Sequence, residues 1–546
     1  MDLIDFYKKE VKEISLTPLI TIIASAISQG LILTVIIYAT VNISPDNSNS
    51  DFQFLFLYIV LFAIFIYGKH HCQEKVADEI TQIMKNVRLR IADKIRKSEY
   101  QTIEKMGNEK IYSQLTHDTG NITEFTVWML NQSQASILVF VCAIYVFFES
   151  QMAFLLISTL LLLMLFIYFS FFHKSYDAIL SRSLKQEIST MEMFNQLFFS
   201  FKELKINQKM SDDHFQEYSQ LLEENRKLKT ESGYRFITQF MFAQASYFSF
   251  FGVVLFVLPV FSHAPVMVVK KIIAIGMFIM GPFNMFLACV PIYAKTKKAI
   301  TNIDSLEKEL DAVLETRLKS KQTTKDRKID FTQFKTLEFD NLTFTHHDIH
   351  GDVSFEIGPV NLNIKKGELI FITGGNGSGK TTLMKLLCGL YYPDSGEIKI
   401  DNIPLNENEY SQYRDLFSMI LSDYYLFDKL YGIDDPDEIY IKYLLQKMDL
   451  THKTSIINRE FTNIDLSTGQ RKRLAMIFAL LQDSQIYIFD EWAADQDVEF
   501  RVFFYETLLK EITGKGKTVI AVSHDDRYYH VADRVLKMEY GQFIDI

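Results

Sequence analysis

Cysteine is scarce in this 546-residue chain. The four residues, Cys72, Cys142, Cys289 and Cys388, are scattered and form no Cys-x-x-Cys pair. That spacing excludes a disulfide framework and a cysteine metal site. Three of them lie in or beside apolar runs, where buried packing suits a thiol. Basic excess is lacking too. Lys and Arg number 57 against 67 Asp and Glu, for a net charge of −10. That balance argues against a nucleic-acid partner. A cleavable signal peptide is also missing: the first apolar run is too long, and no small-residue cleavage site closes it.

What the chain has in quantity is apolar sequence. Hydrophobic residues make up 48% of it, divided between two unlike halves. Up to about residue 300 long apolar runs dominate; beyond that the pattern is that of a soluble α/β domain. Six windows hold no Asp, Glu, Lys or Arg and are long enough to cross a bilayer: 16–41, 52–68, 125–148, 152–172, 236–262 and 272–293. Their number and length rule out buried core helices of a soluble protein.

The links between these windows set an orientation. Those after the first, third and fifth (42–51, 149–151 and 263–271) are short, and only Lys270 and Lys271 in them are basic. Those after the second and fourth run to about 55 and 60 residues, each with about ten Lys or Arg. Lys8, Lys9 and Lys12 precede the first window. Basic loops stay in the cytoplasm, so both long links and both termini are expected there. Val76, Ile80, Ile83, Met84, Val87, Ile91 and Ile95 recur at helical steps with charges opposite. Two antiparallel helices per link would project roughly 40 Å at 1.5 Å per residue. A turn in each link, at 116–121 and at 201–207, would then touch another domain. The charged stretch 319–328 reads as a linker, with a domain boundary near 325.

The second half carries the chemistry. Gly374, Gly375, Asn376, Gly377, Ser378, Gly379, Lys380 and Thr381 fit G-x-x-x-x-G-K-[ST]. An apolar strand precedes them, and Thr382 continues into a helix, which is the context a phosphate-binding loop requires. The glycines let backbone N–H groups curl toward an anion, and the helix N-terminus adds a favourable dipole. Lys380 would reach the β- and γ-phosphates, and the Thr381 hydroxyl would ligate Mg²⁺. Further on, Ile486–Asp490 reads as an apolar strand ending in Asp490, suited to Mg²⁺. Glu491 follows, placed to polarise an attacking water as general base. Ser467, Thr468, Gly469 and Gln470 open a helix and form a second anion site. Another strand, 518–523, ends at His524, a position from which an imidazole can sense the γ-phosphate.

The order of phosphate-binding loop, LSTGQ, apolar strand with Asp-Glu, and strand with His resembles the ATP-binding-cassette (ABC) family. Six windows with long cytoplasmic links resemble its exporter branch. Stretches 202–207, 355–359, 490–497 and 523–528 are similar to bacterial cyclic-peptide exporters, which include microcin and siderophore-peptide transporters. The resemblance implies a fold: an all-α six-span transmembrane domain over 1–325, then an α/β P-loop nucleotide-binding domain over 326–546. It puts Asp497 at the aspartate that contacts the partner subunit near its ATP. It implies a homodimer, because each ATP lies between the phosphate-binding loop of one subunit and the LSTGQ of the other. This sequence departs from the family at three places. Thr468 stands where glycine is usual. Ser422 stands at the usual γ-phosphate-sensing glutamine, leaving Ser422 or Asp423 to take over the contact with Mg²⁺ or water. The adenine-stacking aromatic falls at or near His346, so that His346 or Phe344 would stack.

Together these readings imply ATP-driven export of a peptide or peptide-like metabolite across the bacterial inner membrane, with ATP and Mg²⁺ as cofactors and membrane lipids around the spans. A lipid or glycolipid flippase and a non-transporting ATP-dependent regulator are the alternatives. Only about fifteen residues precede the first span, too few for a core, and no Cys lies among them. A leader-cleaving Cys–His pair has nowhere to form there, so the cargo is expected to arrive already matured.

Overall fold

The computed structural model describes residues 3–10, 16–42, 48–171, 173–262, 265–321, 331–347 and 353–544. The boundary expected near 325 lies outside the described residues, as do 322–328 of the expected linker, 43–47 and 263–264 of two short links, and Phe172. The chain divides into two compact units, 1–94 with 108–308, and 95–107 with 309–546.

The first unit is helical. Its longest elements are Leu16–Asn42, Ser48–Lys97, Thr119–Glu149, Gln151–Phe171, His173–Phe199, Gln208–Gly252 and Val266–Lys321; Ser48–Lys97, Gln208–Gly252 and Val266–Lys321 each extend well beyond one end of an apolar window. Ser48–Lys97 has 50 residues, a rod of roughly 75 Å at 1.5 Å per residue. Among the described residues five helices are long and apolar enough to cross a membrane. The remaining expected span falls on Gln151–Phe171, of 21 residues. Apolar side chains on several helices, including Leu33, Leu138, Cys142, Val254 and Ile272, share one core. A Cβ on Gly30 would come within 2.7 Å of Val141 Cγ1, so the first and third span helices approach closely there only because residue 30 is glycine. Near the start of the chain, the Arg90 guanidinium donates to Glu10 at 2.7 and 2.9 Å and to Glu307 at 2.7 Å, anchoring the helix Leu3–Glu10.

The first expected turn is corrected. Residues 114–118 form a π-helical turn that runs into Thr119–Glu149 without a break. Thr116 and Thr119 donate their hydroxyls to the carbonyls of Tyr112 and Leu115, each at 2.7 Å, so threonines that read as loop formers are absorbed by helix. The chain instead breaks at Ser98–Glu99 and again at Gly107, whose φ of +78° suits glycine. The short helix Tyr100–Met106 lies between. In the second link, the short helix Phe201–Ile206 does fall where a turn is expected, and Asn207 caps the next helix by accepting from Met210 N.

In the second unit, β1 (Thr336–His347), β2 (Val353–Lys365), β4 (Ser395–Ile400) and β5 (Ile403–Pro404) form an antiparallel sheet in the order β2-β1-β4-β5. A second sheet contains β3 (Leu369–Thr373), β6 (Phe417–Ile420), β9 (Ile486–Asp490), β10 (Thr518–Val522), β11 (Arg534–Glu539) and β12 (Gln542–Ile544), in the order β12-β11-β3-β10-β9-β6. The small strands β7 (Ile456–Ile457) and β8 (Glu460–Phe461) pair with each other. All pairs of the second sheet except β11 with β12 are parallel. Strands β9 and β10 are buried at every position, as a parallel sheet covered on both faces requires. Because β10 lies between β3 and β9, the carboxyl ends of three neighbouring strands open onto one edge. Ligands of open α/β sheets bind at that edge.

Candidate functional site

The glycine-rich loop, Asp490, Glu491 and His524 gather at this edge. β3 delivers the glycine-rich loop, β9 ends at Asp490, and β10 leads to Ser523 and His524. Gly374 and Ser378 are buried, whereas Gly375, Asn376 and Gly377 are exposed. Gly379 caps the helix Lys380–Leu387 with φ +100°. A Cβ there would meet the Phe355 ring at 2.8 Å, so both backbone and space demand glycine. The Lys380 ammonium is buried and donates to the carbonyls of Gly374 and Gly375 at 3.0 and 2.9 Å. Thr382 is half-buried in the first turn of the helix.

The Thr381 hydroxyl donates to Asp490 Oδ2 at 2.8 Å. Asp490 is 2% exposed, and burial raises its carboxyl above the ordinary aspartate value although the Thr381 bond opposes this. Ser422 Oγ lies 3.5 Å from the same oxygen. Asp423 is exposed, and of the two candidates for the glutamine position it is Ser422 that the fold brings to Asp490. Glu491 adopts a left-handed backbone, φ 50° and ψ 36°. Its Oε1 lies 3.0 Å from His524 Nε2.

Ser467 caps the helix Thr468–Leu481 through a capping box with Gln470. Ser467 and Thr468 are exposed; Gly469 and Gln470 are half-buried. Asp497 is exposed, caps the helix Val498–Val502 by accepting from Phe500 N at 2.8 Å, and pairs with Arg473 at 2.6 Å. The Phe500 amide, and after it Arg473, hold its carboxyl below the ordinary aspartate value.

The adenine assignment changes in part. Phe344 is 2% exposed and stacks on Tyr391 with ring centroids 4.8 Å apart. It is core, with no face left for a ligand. β1 has a register shift after Phe339, next to Asn341 at φ 50°, which turns Leu342 and Phe344 inward. His346, near the strand end, is exposed.

Sequence reasoning missed a set of residues behind the site. Lys472 is buried, donates to the Glu491 carbonyl at 2.9 Å and pairs with Asp495 at 2.7 Å. Arg473 Nε donates to Gln496 Oε1, and Gln496 Nε2 donates to the Gly469 carbonyl at 3.1 Å. A signal was available. Three basic residues, Arg471 to Arg473, open a run that is otherwise apolar, and buried charges need partners; Asp495 and Asp497 follow 23 or so residues after Lys472 and Arg473, as roughly the return of one helix and strand would require.

Residues 357–494 match the family described as ABC transporter. "ATP-binding protein SyrD" of Pseudomonas syringae pv. syringae is 29% identical over 479 residues, 84% of this chain and 82% of that protein. The chain carries an ABC transporter domain and is homologous to ABC exporters. The "Alpha-hemolysin translocation ATP-binding protein HlyB" of Proteus vulgaris is 31% identical over 36% of this chain and 31% of its own length. An "ATP-dependent lipid A-core flippase" of Ralstonia nicotianae is 28% identical over 38% of this chain and 37% of its own. Against those two the chain spans only about a third of the relative's length. A solved structure titled "Structure of a bacterial Atm1-family ABC exporter with ATP bound" shares the fold, with TM-score 0.73, 13% identity and coverage of 99% of this chain and 95% of that one. The chain is therefore a multi-pass membrane protein and an ATP-hydrolysing transporter.

Proposed function

We propose that the chain is an ATP-driven exporter of a peptide or peptide-like metabolite, acting as a homodimer in the bacterial inner membrane with both termini cytoplasmic. The observation that carries an exporter over the whole length is the extent of the likeness to SyrD. A 479-residue match cannot be confined to the ATPase half and spans most of both chains, whereas the matches to lipid A-core flippases extend over 222 to 284 residues. The cargo class rests on the stretches 202–207, 355–359, 490–497 and 523–528, similar to cyclic-peptide exporters.

The loop fits a nucleotide phosphate. The Ser378 hydroxyl is buried with no partner of its own, and Lys380 is turned inward onto loop carbonyls that it can leave for phosphate oxygens. A divalent ion also fits, because Thr381 and Asp490 bring two oxygens together beside that loop. No cluster of three His, Cys, Asp or Glu that could hold a metal occurs among the described residues. Such a site suits Mg²⁺, which takes one or two protein oxygens and completes its shell with phosphate and water. Bound there, Mg²⁺ would neutralise charge developing on the transferred phosphoryl group.

The protein's own residues then have separate tasks. Backbone amides of 375–380 and the Lys380 ammonium bind and orient the phosphates. Glu491 accepts the proton of the attacking water, and His524, 3.0 Å from it, orients that carboxylate toward the γ-phosphate. Ser467 to Gln470 of the partner subunit close the nucleotide from the other side. ATP shifts the balance toward the closed dimer only through its higher affinity for that state.

The test is ATPase activity in lipid nanodiscs against a panel of cyclic peptides, siderophores and lipids, with vesicle uptake for each hit. Stimulation and uptake of peptide-like compounds support the reading. Stimulation by lipids alone, with lipid moved between leaflets, overturns it.

A further inference from the structure

β9 runs straight to Asp490, and the chain must then turn away within one residue. That residue is Glu491, at φ 50°, a conformation that glycine favours and a Cβ resists. The side chain that must reach water and His524 is thus carried on a strained turn, and the surroundings have to hold it.

Lys472 supplies the hold. It lies on the helix Thr468–Leu481, is 5% exposed, and sends its ammonium to two atoms of the turn. One is the Glu491 carbonyl oxygen at 2.9 Å, the other the Asp495 carboxylate at 2.7 Å. Those atoms mark the start and the end of the short 3₁₀ helix Trp492–Asp495 with its cap. The bond is returned in kind: the Trp492 indole Nε1 donates to the Lys472 carbonyl at 2.9 Å. Trp492 is 1% exposed and stacks on Phe504 at 4.6 Å. A buried ammonium whose two acceptors both belong to one turn fixes the direction of that turn's first peptide. The Glu491 peptide plane in turn sets where its Cα–Cβ bond points, and so where its carboxylate can go.

We propose that Lys472 is a positioning residue for ATP hydrolysis, holding the Glu491 peptide in its left-handed turn so that the carboxylate meets His524 and the attacking water. The proposal rests on Glu491 acting as general base. It adds a residue that touches neither nucleotide nor water.

The full-length protein in lipid nanodiscs is compared as wild type, Lys472→Met, Lys472→Arg, Glu491→Gln and the double variant Lys472→Met with Glu491→Gln. The readouts are kcat, KM for ATP and affinity for a fluorescent ATP analogue. Misplacing a catalytic group by about 1 Å costs on the order of 10²-fold. Lys472→Met is expected to lower kcat by about 10- to 100-fold while KM and analogue affinity stay within about threefold. Lys472→Arg, which can reach both acceptors, recovers most of the loss. In the double variant the loss is no greater than in Glu491→Gln alone, because residues acting as a unit are not additive. If Lys472→Met does not fold, Asp495→Asn, which removes only the exposed counter-charge, must give the same split between kcat and KM. Wild-type kcat in the variant that folds, or additive losses in the double, overturns the role of Lys472. Wild-type turnover in Glu491→Gln instead overturns the general-base reading beneath it.

Discussion

Ser422 Oγ lies 3.5 Å from Asp490 Oδ2, the same oxygen that accepts the Thr381 hydroxyl at 2.8 Å. A serine hydroxyl thus takes up the space beside the buried carboxylate, at a distance where direct bonding is weak and a shared ion or water suits it. Ser422→Ala is expected to raise the Mg²⁺ concentration for half-maximal ATPase activity by about three- to tenfold, in line with roughly 1 kcal/mol for one polar contact. Asp423→Ala should titrate like wild type. A Mg²⁺ titration of both variants decides the matter, and the opposite order would make Asp423 the substitute for the family's glutamine.

Glu491→Gln should retain nucleotide binding and lose turnover by about 10²–10⁴-fold, the range for removing a general base. ATP with Mg²⁺ should then hold the dimer closed, as read by cross-linking or size-exclusion chromatography. Undiminished turnover would remove Glu491 from the chemistry.

Gly469 gives a steric prediction. A Cβ there would sit 2.7 Å from the Asp495 carbonyl oxygen, a backbone atom that cannot yield alone. Gly469→Ala must push apart the helix start and the 492–497 turn, breaking the Gln496 bond to the Gly469 carbonyl. ATPase activity should fall at least about tenfold, because displacement of about 1 Å at such a site has that scale of cost. A wild-type rate for Gly469→Ala would mean that the turn moves freely.

The parts of the site legible from sequence are those whose spacing is local. The glycine-rich loop must sit between strand and helix, Asp490 must end an apolar run, and Ser467 must precede a helix it caps. Each is a short-range demand of backbone geometry. What was not legible depends on distant partners. The 116–121 stretch reads as a turn by composition, yet its threonine hydroxyls fold back on the helix. Phe344 reads as an available aromatic, yet the register shift near Asn341 turns it inward onto Tyr391. Lys472 reads as one more charge on a helix, and only the folded turn shows that both its acceptors come from residues 491–495. The six apolar windows were plain because bilayer thickness sets a length that few other structures share.

The least legible feature joins residues about 280 positions apart. Glu104, in the short helix Tyr100–Met106, accepts from the Tyr391 hydroxyl at 2.6 Å and from the Lys385 ammonium at 3.2 Å. Tyr100 OH also accepts from Lys385, at 3.3 Å. Lys385 is buried on the helix that begins at Lys380, so this segment is tied to the phosphate-binding helix itself. Burial opposes the charge on Glu104, but the Tyr391 and Lys385 contacts outweigh it and hold its carboxyl below the ordinary glutamate value. Burial likewise opposes the charge on Lys385, and Tyr100, Tyr391 and Glu104 together raise its pKa well above the lysine norm. The sign follows from linkage. The Glu104 contribution to stability is complete above its unfolded value, about 4.3, and is lost as pH falls through the lower folded value. The Lys385 contribution is complete below about 10.4 and is lost only as pH rises through its raised folded value. Across neutral pH both are present, so the pair's contribution is flat there. Glu104→Gln should therefore lower Tm at pH 7 and make stability less sensitive to acid below about pH 4.3. A double-mutant cycle with Lys385→Met should give a coupling of about 1 kcal/mol, modest because the Glu104 side chain is 37% exposed. Thermal unfolding of the full-length protein in nanodiscs, across pH 3 to 8, measures both. Additive single losses, or an acid limb unchanged by Glu104→Gln, would show that the contact does not hold the segment to the phosphate-binding helix.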